Sequence, residues 1–371
     1  DLAVTGAVTG GTINGVGIKY NISNFARSML ISNDAGTGTL NAANDNTGFG
    51  HEVFDDLTSG DGNTAVGKQA LTKLTTGEGN VGLGFQALDA LTTGTGNVAI
   101  GFNSGGALTT GETNLSIGTN SLPIATTASR NIAIGHSTLA ANSSGTKNVA
   151  LGYEALNDNT TADNNVAIGD LALTKNTTGT VNVAVGANAL DANTTASSGV
   201  AIGFNALTSN TTGGANIAIG KDALEANTTG ATNVAVGYLA LEANTTASNN
   251  VAIGAEALND NTTGTRNVAV GHAALDAATT VNDNTAVGHD ALTANTSGFK
   301  NTAIGSGAGE GNTTGDNLVA VGFNAAENNT TADDNTAVGS QALFTNTTGA
   351  KNTAIGTGAL YANTTANDNV A

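Results

Sequence analysis

The sequence predicts an all-β fold, a parallel β-solenoid or β-roll built of seventeen-residue coils. Three observations lead there. A glycine recurs at one constant spacing, Gly50, Gly67, Gly84 and onward to Gly356, nineteen times without a slip. A short alternation of apolar and small residues precedes each glycine, and a polar corner rich in Asn, Thr and Gly follows it. Strict self-similarity at short period marks a stack in which each repeat contacts only its neighbours.

Residues 165–181 serve as the type unit, with Asn165 as register position 1. Position 2 is Val, Ile, Thr or Leu in every unit, and position 4 is Val, Ile or Leu except for Phe49. Position 3 is only Ala, Gly or Ser. This period-two pattern, rich in β-branched residues, reads as a short strand. A merely solvated face would accept Lys or Glu at position 3, so its restriction to small residues suggests that another backbone approaches there. Position 5 is the recurring glycine, among others Gly50, Gly67, Gly84, Gly101, Gly169, Gly186, Gly203, Gly288 and Gly356. It serves either a positive φ or a close approach of another backbone.

An apolar pair occupies positions 8 and 9, as in Ala172-Leu173, and the leucine fails at Gly105, Gly309 and Ala326. The corner Asn176-Thr177-Thr178-Gly179 then turns the chain. Asn stands at position 1 in eighteen of twenty units, missing at Gly199 and Leu318, which suggests a ladder of stacked amides. A helical solenoid is excluded by length, since its units run to roughly 33 residues or more. Gly and the Asn-Thr-Thr corner would also break helices. One coil per unit at about 4.8 Å implies a rod of roughly 90 Å.

Residues 46–371 form this array of about 19 coils, the last incomplete at Asn369-Val370-Ala371. An open coil end is a bare sheet edge, so continuation of the chain or a covering molecule is expected there. Residues 1–45 lie outside the register, and the Gly/Thr/Val texture of Val4 to Ile13 suggests a cap or neck of short strands. Position 12 is Leu57, Leu74, Leu91 and Leu108, then Ala125, then Asn from Asn142 onward except at Ala278. The apolar early corner suggests that something packs over those coils.

The net charge of −18 arises at a charged content of only 11%. No basic stripe is present to neutralise phosphates, which argues against a nucleic-acid partner. No run of 18 apolar residues is present, so no membrane span is expected. With no Cys in the chain, no disulfide framework is needed.

The Asn-Val-Ala-Ile-Gly of residues 165–169 and 250–254 resembles the head repeat of YadA-like trimeric autotransporter adhesins. The longer unit at residues 335–349 and the Thr9-Gly10-Gly11-Thr12-Ile13-Asn14-Gly15 segment resemble the arrays of phage tail fibres. The resemblance implies a homotrimer around one axis, a tail fibre or adhesin, and an extracellular place on a virion or cell surface. The small residues at positions 3 and 5 are the independent hint of close chain packing. The unit is longer than that of the adhesin head, so the coil's cross-section does not carry over.

Position 6 gathers every histidine, His51, His136, His272 and His289, with Phe85, Phe102, Tyr153, Phe204, Tyr238 and Phe323. The column reads as a contact stripe for glycan or receptor, or as flat side chains shielding a coil or chain junction. A metal at His272 and His289 meets the objection that ligand-spaced Cys or carboxylate partners are lacking. Asn-x-Thr/Ser triplets begin at Asn142, Asn159, Asn176, Asn193, Asn210, Asn227, Asn244, Asn261, Asn295, Asn312, Asn329, Asn346 and Asn363. They are N-glycan acceptors in a glycosylating host, or a turn-and-ladder corner that matches the triplet. Ice binding is disfavoured, because an adjacent Thr-Thr pair in a strand does not give a Thr-x-Thr row.

No nucleophile-plus-base set, phosphate-cradling loop or calcium loop stands out, so no enzyme, metal or cofactor is expected. The expected role is a structural shaft holding a receptor-binding tip, outside this chain, away from the particle or cell. The alternative is a surface module whose own array binds glycan, receptor or ice.

Overall fold

A computed structural model describes residues 11–13, 16–22, 25–32 and 40–371. Most of the Val4 to Ile13 stretch and of the Thr9–Gly15 segment lies outside the described residues. The chain falls into two compact units, residues 1–182 and 183–371. Each is a parallel β-solenoid whose coil length equals the sequence repeat.

In the first unit, β1 (Gly11–Ile13), β2 (Val16–Ile22) and β3 (Phe25–Ser32) pair antiparallel in chain order. β3 then pairs in parallel with β4 (Thr47–Phe49), setting Leu30 opposite Gly48. From β4 to β11 (Val166–Ile168) each coil contributes one three-residue strand, paired with its equivalent one repeat later, as in Val149↔Val166. β3 thus pairs with the edge of the first coil. Leu30 is fully buried, and a Cβ on Gly48 would lie 2.8 Å from its Cδ1, so glycine there makes room for the leucine. Ser28 Oγ accepts from the Asn46 backbone N–H at 2.8 Å, standing in for an asparagine one coil earlier.

The second unit repeats the pattern from β12 (Val183–Val185) to β22 (Thr353–Ile355). Its register is uniform, Val183↔Val200 through Thr336↔Thr353, and an isolated parallel bridge joins Thr353 to Val370.

The interior of each coil is narrow. Position 3, as at Ala201, Ala218 and Ala235, is fully buried, whereas positions 2 and 4 are half-buried or exposed. The small face therefore points into its own coil, so it is the coil's own interior that restricts position 3 to small residues. It is small because position 9 fills the space opposite: a Cβ on Gly105 would meet Leu88, Leu108 and, at 3.8 Å, the Ala99 Cβ. The position-9 leucines, such as Leu207, Leu224 and Leu241, are fully buried with φ of 53–55°. A left-handed L-residue costs roughly 1–2 kcal/mol. Burying a leucine returns about 1.5–3 kcal/mol, so burial prevails.

Where the leucine is missing, another fills the gap. A Cβ on Gly309 would lie 3.1 Å from both Leu292 Cδ2 and Leu318 Cδ2. Leu318 is the residue that replaces the position-1 asparagine, so the two irregularities are one exchange of volume. Position 12 also points inward: Leu57, Leu74, Leu91 and Leu108 are fully buried, against the expectation that something packs over them. Their bulk is matched by glycine at position 15, since a Cβ on Gly77 or Gly94 would lie 2.8 or 2.7 Å from Leu74 or Leu91.

Two asparagine ladders run through the coils. At position 1, Asn233 Oδ1 accepts from the Asn250 backbone N–H at 3.0 Å, and Asn233 Nδ2 donates to Ala247 O at 2.8 Å. At position 12, Asn244 Nδ2 donates to Asn227 Oδ1 at 2.8 Å and to Ala247 O at 3.2 Å. The second ladder breaks at Ala278, and Asn261 Oδ1 is left buried without a hydrogen-bond partner. Val281, 3% exposed, takes up the volume that Ala278 gives back. Restoring the motif with Ala278→Asn and Val281→Gly together is expected to stabilise the protein by about 1–2 kcal/mol, the worth of satisfying a buried acceptor. Denaturant unfolding of the double variant checks it, and an unchanged or lower midpoint contradicts the ladder's role.

Candidate functional site

The candidates are columns, in which one register position repeats along the coils.

The strand column faces outward. Ile202, Ile219, Ile253 and Ile304 at position 4 are 39%, 37%, 40% and 43% exposed in the second unit, and Val66, Ile100 and Leu151 are comparably exposed in the first. Soluble one-sheet surfaces normally put this alternation the other way round, apolar side in. Here the coil is too thin to take branched side chains on the strand's inner face, so they stand outside as an apolar rank.

The position-6 column is open on each unit taken alone, with Phe102, Tyr153, Phe204, Tyr238 and Phe323 between 47% and 56% exposed. Rings one coil apart stack: Phe85–Phe102 at 5.5 Å, His136–Tyr153 at 5.4 Å and His272–His289 at 5.3 Å between centroids. Lys68 and Lys221 lie over the Phe85 and Tyr238 rings at 5.8 and 5.3 Å. Carboxylates do reach the histidine pair, contrary to the sequence-based objection. Glu256 Oε2 is 3.7 Å from His272 Nε2, and Asp290 Oδ2 is 2.8 Å from His289 Nδ1. The signal that could have found them is position 7, which turns beside position 6 with a positive φ at Glu256 and Asp290.

The glycosylation triplets sit on the inward Asn corner. Asn142, Asn159, Asn176, Asn193, Asn210, Asn227, Asn244, Asn261, Asn295, Asn312, Asn329 and Asn346 are at most 1% exposed. Asn363 is half-buried and its Nδ2 donates to Asn346 Oδ1 at 3.0 Å. The amide nitrogen a sugar would need is spent on the ladder, so a folded coil does not offer it. Beside it, the position-13 hydroxyl is also committed, as where Thr211 Oγ1 donates to Thr228 O at 3.0 Å.

Sequence reasoning missed an acidic column at position 10 of the second unit. A shallow groove there is lined by Ser209, Glu225, Glu242, Asn259 and Asp260, and another by Thr293, Glu310 and Glu327. Burial, with Asp222 and Glu242 adding repulsion, pushes the Glu225 carboxyl up. Burial and then Glu310 do the same for Glu327, whose Oε2 is buried without a hydrogen-bond partner. A carboxyl with a raised native value takes up its proton before the unfolded chain does. It therefore weakens the fold at neutral pH and ceases to do so as pH falls. Glu327→Gln is expected to melt above the parent at pH 7, with the gap closing toward about pH 4, where carboxyls protonate. A gap that is absent at pH 7, or that widens in acid, contradicts this.

No helix among the described residues is long and apolar enough to cross a membrane. No protein-family model matches the chain, and no curated protein is significantly similar to it.

Proposed function

We propose that the chain is the structural shaft of an extracellular or virion fibre, a homotrimer that holds a receptor-binding tip away from a particle or cell. The observation that carries this is the rank of Val, Ile and Leu at position 4, half-buried or exposed on the coil surface. A monomer gains nothing from repeating an apolar side chain on its surface at every coil, and such patches mark association sites. Another copy of the chain offers the same side chains at the same spacing, so the faces match coil for coil. Cyclic closure of three copies removes the apolar rank from water without leaving a sticky end. The stacked coils and buried ladders supply stiffness, and the resemblance to tail-fibre and adhesin repeats fits that role.

Native mass measurement tests it. The chain weighs 36.1 kDa, and a species of about three times that is expected. Ile219→Lys with Ile253→Lys is expected to release folded monomers. A monomeric parent overturns the proposal.

The half-exposed stacked rings of position 6 favour a second reading, in which the array itself contacts glycan or receptor. Aromatic faces are the usual platform for such contacts. Adhesion lost in a Phe102/Tyr153/Phe204/Tyr238 quadruple alanine variant that remains folded supports this module, and unchanged adhesion supports the spacer.

A further inference from the structure

The histidine pair of the second unit forms the one place among the described residues where three metal-ligating side chains converge. One donor atom each from His272, His289 and Asp290 lies within 4.8 Å of the others. Glu256 adds a carboxylate 3.7 Å from His272 Nε2. We propose that His272, His289 and Asp290, with Glu256 as fourth ligand, bind one divalent transition-metal ion of the zinc class.

The coil geometry builds the site. Position 6 places both imidazoles on the same line one coil apart, with their rings 5.3 Å apart and 13° from parallel. Position 7, held at positive φ, swings Glu256 and Asp290 alongside them. The four ligands come from three successive coils, so the ion pins those coils together. Ligands around a tetrahedral zinc sit about 3.3 Å from one another, as bonds of about 2.0–2.1 Å require. The donors of His272, His289 and Asp290 must therefore draw in by up to roughly 1.5 Å from their 4.8 Å span, and Glu256, outside that set, must swing in from beside His272. The side chains have the freedom to do so, since those of His272, Glu256, His289 and Asp290 are 54%, 41%, 61% and 31% exposed.

The donor set selects the ion. Two imidazoles with carboxylates suit zinc, copper or nickel, whereas magnesium and calcium take all-oxygen shells. The surroundings are acidic, with Asp260 and Asp276 completing a field that favours a cation: Asp276 is pushed up by burial and then by Asp260, Glu256 and Asp290, against the opposing influence of His272. The other stacked pairs act as internal controls. Phe85–Phe102 has no donor, and His136–Tyr153 has one imidazole.

The test is calorimetric titration of the chelator-treated full chain with zinc chloride, followed by melting with and without the ion. The expected result is one zinc per chain and a higher midpoint. His289→Ala is expected to abolish the binding, Asp290→Asn to weaken it at least tenfold, and His136→Ala to leave it unchanged. These side chains are on the surface, so the metal-free variants should melt with the metal-free parent, which separates lost binding from lost folding. His272→Gln, which keeps a polar side chain, repeats the test independently. No zinc bound by the parent, or the same affinity in the His272 and His289 variants, overturns the proposal.

Discussion

Replacing Gly322 by alanine is expected to destabilise the protein by about 3 kcal/mol or more, through positive-φ strain together with a clash against backbone. Gly322 has a φ of +137°, and a Cβ there would lie 2.6 Å from the carbonyl carbon and oxygen of Gly339. The neighbour has little room to yield, because the next step is as close: a Cβ on Gly339 would lie 2.6 Å from the carbonyl carbon and oxygen of Gly356. Gly356 is the built-in comparison. Its φ is +125° but nothing lies within 4 Å of its added Cβ, so Gly356→Ala meets strain alone. Its expected cost is about 1 kcal/mol, at the low end for a strained residue. Chemical denaturation of the two variants decides the matter. Equal costs contradict the claim that position 5 is where successive backbones touch.

The second large effect belongs to the amide ladder. Asn233→Ala removes the acceptor of the Asn250 backbone N–H and the donor to Ala247 O, bonds of 3.0 and 2.8 Å inside a closed coil. The buried Asn250 N–H is stranded at roughly 1–3 kcal/mol, while Ala247 O keeps the bond from Asn244 Nδ2, so the expected loss is about 2–3 kcal/mol. Asn233→Asp keeps the shape and an acceptor but carries a charge with no donor of its own. At neutral pH it is expected to unfold at least as easily as the alanine variant. It should recover part of the loss in acid, because a buried carboxylate is stabilised by protonation. Asn369, half-buried at the last ladder rung, is expected to tolerate the same substitutions with small effect. An exposed, replaceable Asn233 contradicts the ladder.

Much of this architecture is legible in the chain. The strand at positions 2–4, the coil period, the position-1 ladder and the corner all follow from alternation, spacing and turn chemistry. The glycine of position 5 proves to serve both roles that the sequence leaves open, a positive φ and a close backbone approach. Which face of the strand is inside was not legible. Alternation gives two faces, and the usual preference would bury Val and Ile; only the thinness of the coil, set by a leucine such as Leu224 opposite, reverses it. For the same reason Leu74 and Leu91 read as an outer patch although they are interior. The left-handed backbone of buried leucines such as Leu241 is invisible to local propensity, since that conformation is stabilised only by the completed core. Of the candidate site, the column of position 6 was readable, because it needs only the period. Glu256 and Asp290 were not, since their approach to the histidines depends on the φ of position 7.

All of this depends on one lap of backbone per sequence repeat. The chain contains no cysteine, so single pairs of spin labels can be placed cleanly. Thr229, Ser297 and Thr314 share the exposed position 14 of the second unit. Labels on Thr229 and Ser297, diluted with unlabelled chain, should stand four coils or about 19 Å apart. Moving the second label to Thr314 should add one further step of about 4.8 Å. Distances that do not lengthen by that fixed step for each added repeat contradict the coil.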